Sequence, residues 1–148
     1  MLDADILARL TAAARLLFPG RRVLAAYAFG SRVSGRPRPD SDLDVGYYLR
    51  EYQQGEALPI AEEMLLATQL SEAAGVEIDL RNLGAASLEF RGRVLEDGVR
   101  IFEADPAARV ALERDLLARY HDYKPVFERM HERRLRAIAE RGLYHRDG

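Results

Sequence analysis

Two apolar runs, Val23–Phe29 and Leu43–Leu49, bracket a stretch that neither a helix nor a strand explains. Gly30-Ser31 follows the first run directly, a basic, proline-rich loop comes next, and carboxylates at Asp40, Asp42 and Asp44 lead into the second run. Short apolar runs bounded by Gly, Pro and Asp read as strands, and the first is too continuous to alternate, as in a central strand covered on both sides. If Leu43–Leu49 is a strand, residues two apart share a face, so Asp42 and Asp44 point one way and Leu43 and Val45 point into the core. Two carboxylates on one rigid edge repel each other, and a divalent cation between them offsets that cost. Hard oxygen ligands in such small number suit Mg²⁺, which keeps waters and takes further ligands from substrate phosphates. At Gly30 the missing side chain lets backbone N–H groups approach a phosphate, and the Ser31 hydroxyl can donate to one. The stretch therefore describes a metal–nucleotide site.

Two other motifs come close and fail. Asp40, Asp42, Asp44 and Glu51 fall on the ligand positions of a calcium EF-hand loop, but its sixth position must be Gly and is here Val45, inside a strand-like run. Gly30 and Gly35 have Walker P-loop spacing, yet Arg36-Pro37 stands where Lys and Ser/Thr are required. An acidic, proline-rich turn capping a strand is the plain structural alternative, and it leaves the Gly-Ser pair and the like-charged carboxylates without a cause.

Gly30-Ser31, ten residues, then Asp42-Leu43-Asp44 resembles the Gly-Ser-x10-Asp-x-Asp signature of the polymerase-β-type nucleotidyltransferases. In that superfamily a third carboxylate comes from a later strand. Asp79, in Val76-Glu77-Ile78-Asp79-Leu80, is placed for it, with Glu77 as a rival on the same strand face. The resemblance spans residues 23 to 80, and a short strand near residue 100 also fits. It implies an α/β (α+β) fold, a polymerase-β-like core with a mixed sheet flanked by helices. It implies Asp42, Asp44 and Asp79 as catalytic and metal-holding residues, with two Mg²⁺ ions, ATP as substrate, and Gly30, Ser31 and Arg36 as nucleotide-binding residues.

The rest of the chain is consistent with that core. Residues 4 to 18 have helical apolar spacing with Asp3 as N-cap and Pro19-Gly20 as stop. Ser31 to Gly35 is expected to form one helical turn. Pro59 opens a helix that reaches Ala74 and is closed by Gly75. Ser87 caps a short helix over 88–96, and Val99–Phe102 reads as an edge strand. From Pro106 to about Arg141, Leu112, Leu116, Tyr120, Tyr123, Phe127 and Met130 recur near every 3.6 residues. Unbroken, that helix is about 50 Å long, longer than a globule of this size, about 38 Å across. Two segments, kinked or broken near Pro125, are therefore expected. The division is 1–104 for the core and 105–148 for a C-terminal helical extension within the same domain. Its apolar stripe, flanked by Arg119, Arg129, Arg133, Arg134 and Arg136, is a candidate partner-docking surface.

Bulk properties narrow the function classes. At 148 residues with 48% hydrophobic residues the chain makes one domain with a real core. It contains no Cys, so there is no disulfide framework, thiol nucleophile or Cys-based zinc site. Net charge is −2, which gathers no nucleic acid by a global field. No apolar run approaches membrane-spanning length, and a cytoplasmic protein without membrane contact is expected. His121, His131 and His145 do not have the spacing of a metal cluster. Arg114 and His121 mimic the Arg-x4-6-His motif of HEPN ribonucleases, but two helices cannot make that helical bundle.

Size selects within the superfamily, because this chain has no room for primer, RNA or drug-binding domains. It looks like the minimal nucleotidyltransferase group, usually the antitoxin of a HEPN ribonuclease toxin. The resemblance implies transfer of AMP from ATP to a tyrosine of that toxin. The alternatives are a small-molecule nucleotidyltransferase that completes its acceptor site by dimerising, and an antitoxin that acts by binding alone.

Overall fold

A computed structural model describes residues 2–34 and 42–146. The elements, in chain order, are α1 (Ala4–Leu17), β1 (Val23–Phe29), α2 (Ser31–Ser34), β2 (Leu43–Leu49), α3 (Ile60–Ala74), β3 (Ile78–Asn82), α4 (Leu88–Asp97), β4 (Val99–Glu103) and α5 (Pro106–Arg146). One-turn 3₁₀ segments at Tyr52–Gln54 and Leu83–Ala85 join β2 to α3 and β3 to α4. The strands form one mixed sheet in the order β3-β2-β1-β4, parallel between β2 and β3 and antiparallel elsewhere. This is the expected α+β architecture, with β4 at an edge.

The predicted punctuation works as stated. The Asp3 side chain accepts the Asp5 N–H at 2.8 Å, and the Ser87 hydroxyl accepts that of Phe90 at 3.2 Å. Gly75 ends α3 in the left-handed region at φ 76°, where its N–H reaches the Ser71 carbonyl.

Alternation along the strands builds two unequal layers. Leu43, Val45, Tyr47 and Leu49 of β2, with Ala26 and Ala28 of β1 and Ile78 and Leu80 of β3, pack against Leu10, Ala14 and Phe18 on the α1 side and Leu66, Leu70 and Ala74 of α3. The Tyr47 hydroxyl donates to Glu63, so its one polar atom is satisfied in this core. The opposite layer is smaller. Ala25, Tyr27 and Phe29 of β1 and Tyr48 of β2 meet Leu83, Val94 of α4 and Leu112 of α5. The α4–α5 seam is close, because a side chain on Gly92 would collide with the Tyr120 ring. Glu96 ties it further, accepting from the Tyr120 hydroxyl and Lys124 Nζ, each at 2.9 Å.

The expected break in the last helix is absent. α5 runs as one helix through Pro125, a length of about 62 Å. The residues around Pro125 are largely exposed, so water can satisfy the carbonyl that the missing N–H leaves orphaned, and the helix is not interrupted. Its first half is anchored by buried Leu112, Leu116 and Tyr120. Beyond Tyr120 none of its described residues is buried. Among the described residues no helix is long and apolar enough to cross a membrane.

Candidate active site

β1 ends at Phe29, opposite Asp44 of β2, and Gly30 then turns the chain at φ 93°, a region that L side chains rarely adopt. The turn brings the backbone against the carboxylate. A Cβ at position 30 would lie 2.3 Å from Asp44 Oδ2, so Gly is required here for conformation and for space. Ser31 follows, exposed, as the first residue of the single turn α2.

The parallel register pairs Asp44 with Asp79 across β2 and β3. Their strand neighbours Leu43, Val45, Ile78 and Leu80 all belong to the α1–α3 core, so both carboxylates project from the other face. Burial pushes the Asp44 carboxyl above the ordinary carboxylate range. The nearby charge of Asp79, a hydrogen bond to it, and the charge of Asp42 push the same way, while Arg81 opposes them. Asp42 is exposed just outside β2, within electrostatic reach of Asp44. Glu77 precedes β3, its side chain exposed and its carbonyl accepting the Leu43 N–H at 2.9 Å. The register thus sets Asp79, not Glu77, opposite Asp44.

Arg81 was not visible as a site residue in the sequence. Two positions after Asp79 on the same strand, it holds Asp79 Oδ2 through Nε and Nη2, both at 3.2 Å. Its guanidinium also lies 5.8 Å from the centre of the Phe90 ring. The i, i+2 spacing of an acid and a base was the signal available. Arg36 falls outside the described residues, as do Asp40 and Arg38.

Among the described residues no three His, Cys, Asp or Glu side chains form a ready-made metal-holding group. Asp44 and Asp79 are together, and Asp42 stands at the mouth of the strand. The donor set nevertheless fits a hard divalent cation, being all carboxylate oxygen. Asp44, raised first by burial and next by the charge of Asp79, has Arg81 as the opposing positive charge. His121 and Arg114 are exposed on α5, and His131 pairs with Glu89 of α4, so neither histidine joins the carboxylates.

Comparisons with known proteins follow the same lines. A family model described as "Polymerase beta, Nucleotidyltransferase" matches residues 15–107. No curated protein matches the sequence. Among solved structures, a chain of a mutant toxin–antitoxin complex MntA–HpeT is 16% identical, with 87% of this chain and 98% of that one covered at a TM-score of 0.66. A chain of a toxin–antitoxin crystallised with AMP-PNP is 18% identical, with coverage of 87% and 98% and a TM-score of 0.64. A chain from a complex of a tri-AMPylated Shewanella oneidensis HEPN toxin with an MNT antitoxin is 16% identical, with coverage of 88% and 96% and a TM-score of 0.60. At such identities these likenesses show a shared fold over nearly the whole of each matched chain.

Proposed function

This chain belongs to the polymerase beta nucleotidyltransferase family, and from that premise we propose that it transfers AMP from ATP to a tyrosine of a cognate HEPN ribonuclease toxin, acting as its antitoxin. The observation that carries the reading is the pairing of Asp44 with Asp79 beside the Gly30 turn. The fold shared with chains of toxin–antitoxin complexes, one crystallised with AMP-PNP and one containing an AMPylated toxin, supports the choice of partner and nucleotide.

In this mechanism the acceptor hydroxyl oxygen attacks the α-phosphorus, the bond from that phosphorus to the bridging oxygen breaks, and pyrophosphate leaves. Asp79 takes the acceptor's proton, with Arg81 fixing the carboxylate's orientation through Oδ2. Gly30 and Ser31 hold the β- and γ-phosphates, the glycine by close backbone approach and the serine by its hydroxyl, with Arg36 adding charge from the loop. Asp42 and Asp44 would hold Mg²⁺ with Asp79. When bound, Mg²⁺ supplies charge neutralisation for the attacking and leaving oxygens. The exposed half of α5, with Arg129, Arg133, Arg134 and Arg136 on its surface, is the docking surface for the toxin.

Incubation with labelled ATP, Mg²⁺ and the protein encoded next to this one tests the reading. Label on a tyrosine of the neighbour is expected. Label only on a small molecule would make this an enzyme of the antibiotic-modifying type, and no label with the neighbour still neutralised would make it an antitoxin by binding alone. Deleting residues 126–148 should weaken the complex with the toxin while leaving ATP binding; unchanged toxin affinity would remove the tail from the proposal.

A further inference from the structure

On the same sheet face as Asp44, but four residues further along β2 and about 13 Å away at about 3.3 Å per residue, Tyr48 forms the floor of a second cleft. It measures about 370 Å³ and lies between the Tyr52 turn, α4 and α5, within the range of small-molecule sites. Leu88, Leu112 and Leu116 make an apolar wall, and Tyr52 sets its ring edge-on to Tyr48 with centroids 5.4 Å apart. Arg91 and Arg119 are the two cations of the lining and Asp115 the one anion. Asp115 is already engaged by Arg119 at 3.4 Å, so one positive charge is left over, on Arg91.

Arg91 is the unusual member. Its Nε is buried and has no hydrogen-bond partner. A guanidinium carries five donors in a fixed fork and no acceptor. A buried donor left unpaired is unfavourable, and an anion in the cleft would compensate the charge of the same guanidinium. Leucines and tyrosines around one unpartnered arginine suit an anion attached to a flat or apolar body better than a bare ion or a polyphosphate.

We propose that this cleft is a second ligand site, separate from the carboxylates, which binds a small organic anion by placing a carboxylate or phosphate oxygen on the Arg91 guanidinium and its apolar body between Tyr52 and the α5 leucines. The site goes beyond the transferase reading and stands without it. Its phosphate source would be a nucleoside monophosphate and its carboxylate source an aromatic acid.

The arginine Nε–H resonances of the full chain are followed by NMR during titration with AMP, with benzoate and with inorganic phosphate. Saturable movement of the Arg91 resonance is expected with AMP, identifying a phosphate-bearing ligand, or with benzoate, identifying a carboxylate, and not with inorganic phosphate at equal concentration. Arg91→Gln should weaken that binding at least tenfold, Arg119→Gln less, and Asp44→Asn not at all. If Arg91→Gln does not fold, the wild-type resonance and Arg119→Gln carry the test. The proposal is overturned if no probe moves the Arg91 signal or if inorganic phosphate moves it equally. It is also overturned if Arg91→Gln binds like wild type, or if Asp44→Asn abolishes the response, which would place the probe at the carboxylates.

Discussion

The two faces of the sheet use the same strands for different ends. On the α1–α3 face β2 contributes Leu43, Val45, Tyr47 and Leu49, all sealed in the larger core. On the other face the same strand contributes Asp44, Gly46 and Tyr48, with α4 and α5 reaching Tyr48 while Asp44 remains only partly covered. One face is closed because it holds the fold together, and the other is left open at one end because charged side chains cannot be buried without partners. The difference predicts that substitutions on the two faces fail in different ways.

The largest effect should come from the open face. Asp44→Asn or Asp79→Asn is expected to lower AMP transfer by about a hundredfold or more, and Asp44→Asn to do so without loss of thermal stability. The sign follows from protonation. Asp44 has a folded-state pKa above its unfolded value, so its contribution to stability falls as pH rises from the unfolded to the folded pKa and stays unfavourable above both. The neutral Asn therefore keeps or raises the Tm at neutral pH, and a large drop in Tm would erase the contrast between the faces. On the closed face, Leu66→Ala should cost about 2–5 kcal/mol in denaturant unfolding, with transfer by the folded fraction retained.

Gly30→Ala sits at the boundary of the two behaviours. Its Cβ must displace the Asp44 carboxylate, and its φ is strained, so a stability loss of about 1–3 kcal/mol should accompany a loss of transfer. An alanine variant with normal Tm and normal rate would show that the turn can be rebuilt without touching Asp44.

How far this contrast was legible in the sequence depends on the range of the interaction. Val23–Phe29, Leu43–Leu49 and the α3 stop at Gly75 were readable because strand alternation and caps are local. The Gly-Ser and Asp-x-Asp spacing pointed to Asp44 before any geometry, and Asp79 followed from the family resemblance. Arg81 on Asp79 was not singled out, since an i, i+2 ion pair has meaning only once its face is known. The unpartnered Arg91 and the Gly92–Tyr120 contact depend on α4 meeting α5, which no local pattern encodes. Pro125 was expected to kink or break its helix, and the helix continues through it unbroken, because propensity cannot tell an exposed carbonyl, served by water, from a buried one.

Two smaller effects sharpen the comparison. Asp79→Asn should bring the Asp44 pKa part of the way down in a carboxyl NMR titration, since burial, the first cause of its elevation, remains while the second is removed. An unchanged value would mean that the two carboxylates do not interact. Across the α4–α5 seam the shift runs the other way. Glu89 is held below the ordinary carboxylate range chiefly by its hydrogen bond to His131, and Glu96 chiefly by that to Lys124. Their support is present above the unfolded carboxylate pKa and is lost as pH falls through the lower folded values. Hydrogen exchange along α5 beyond Tyr120 should therefore quicken slightly in acid relative to the chemical rate, with β1 and β2 unaffected.

The central claim is that Asp44 and Asp79 serve one divalent ion together, and paramagnetic broadening of the aspartate side-chain carboxyl signals by trace Mn²⁺ in competition with Mg²⁺ tests it most directly. Broadening of both signals at the same low Mn²⁺ concentration, reversed by Mg²⁺ and lost together in Asp42→Ala or weakened there, is the predicted result. Broadening of neither, or of acidic residues on the α1–α3 face instead, would contradict it.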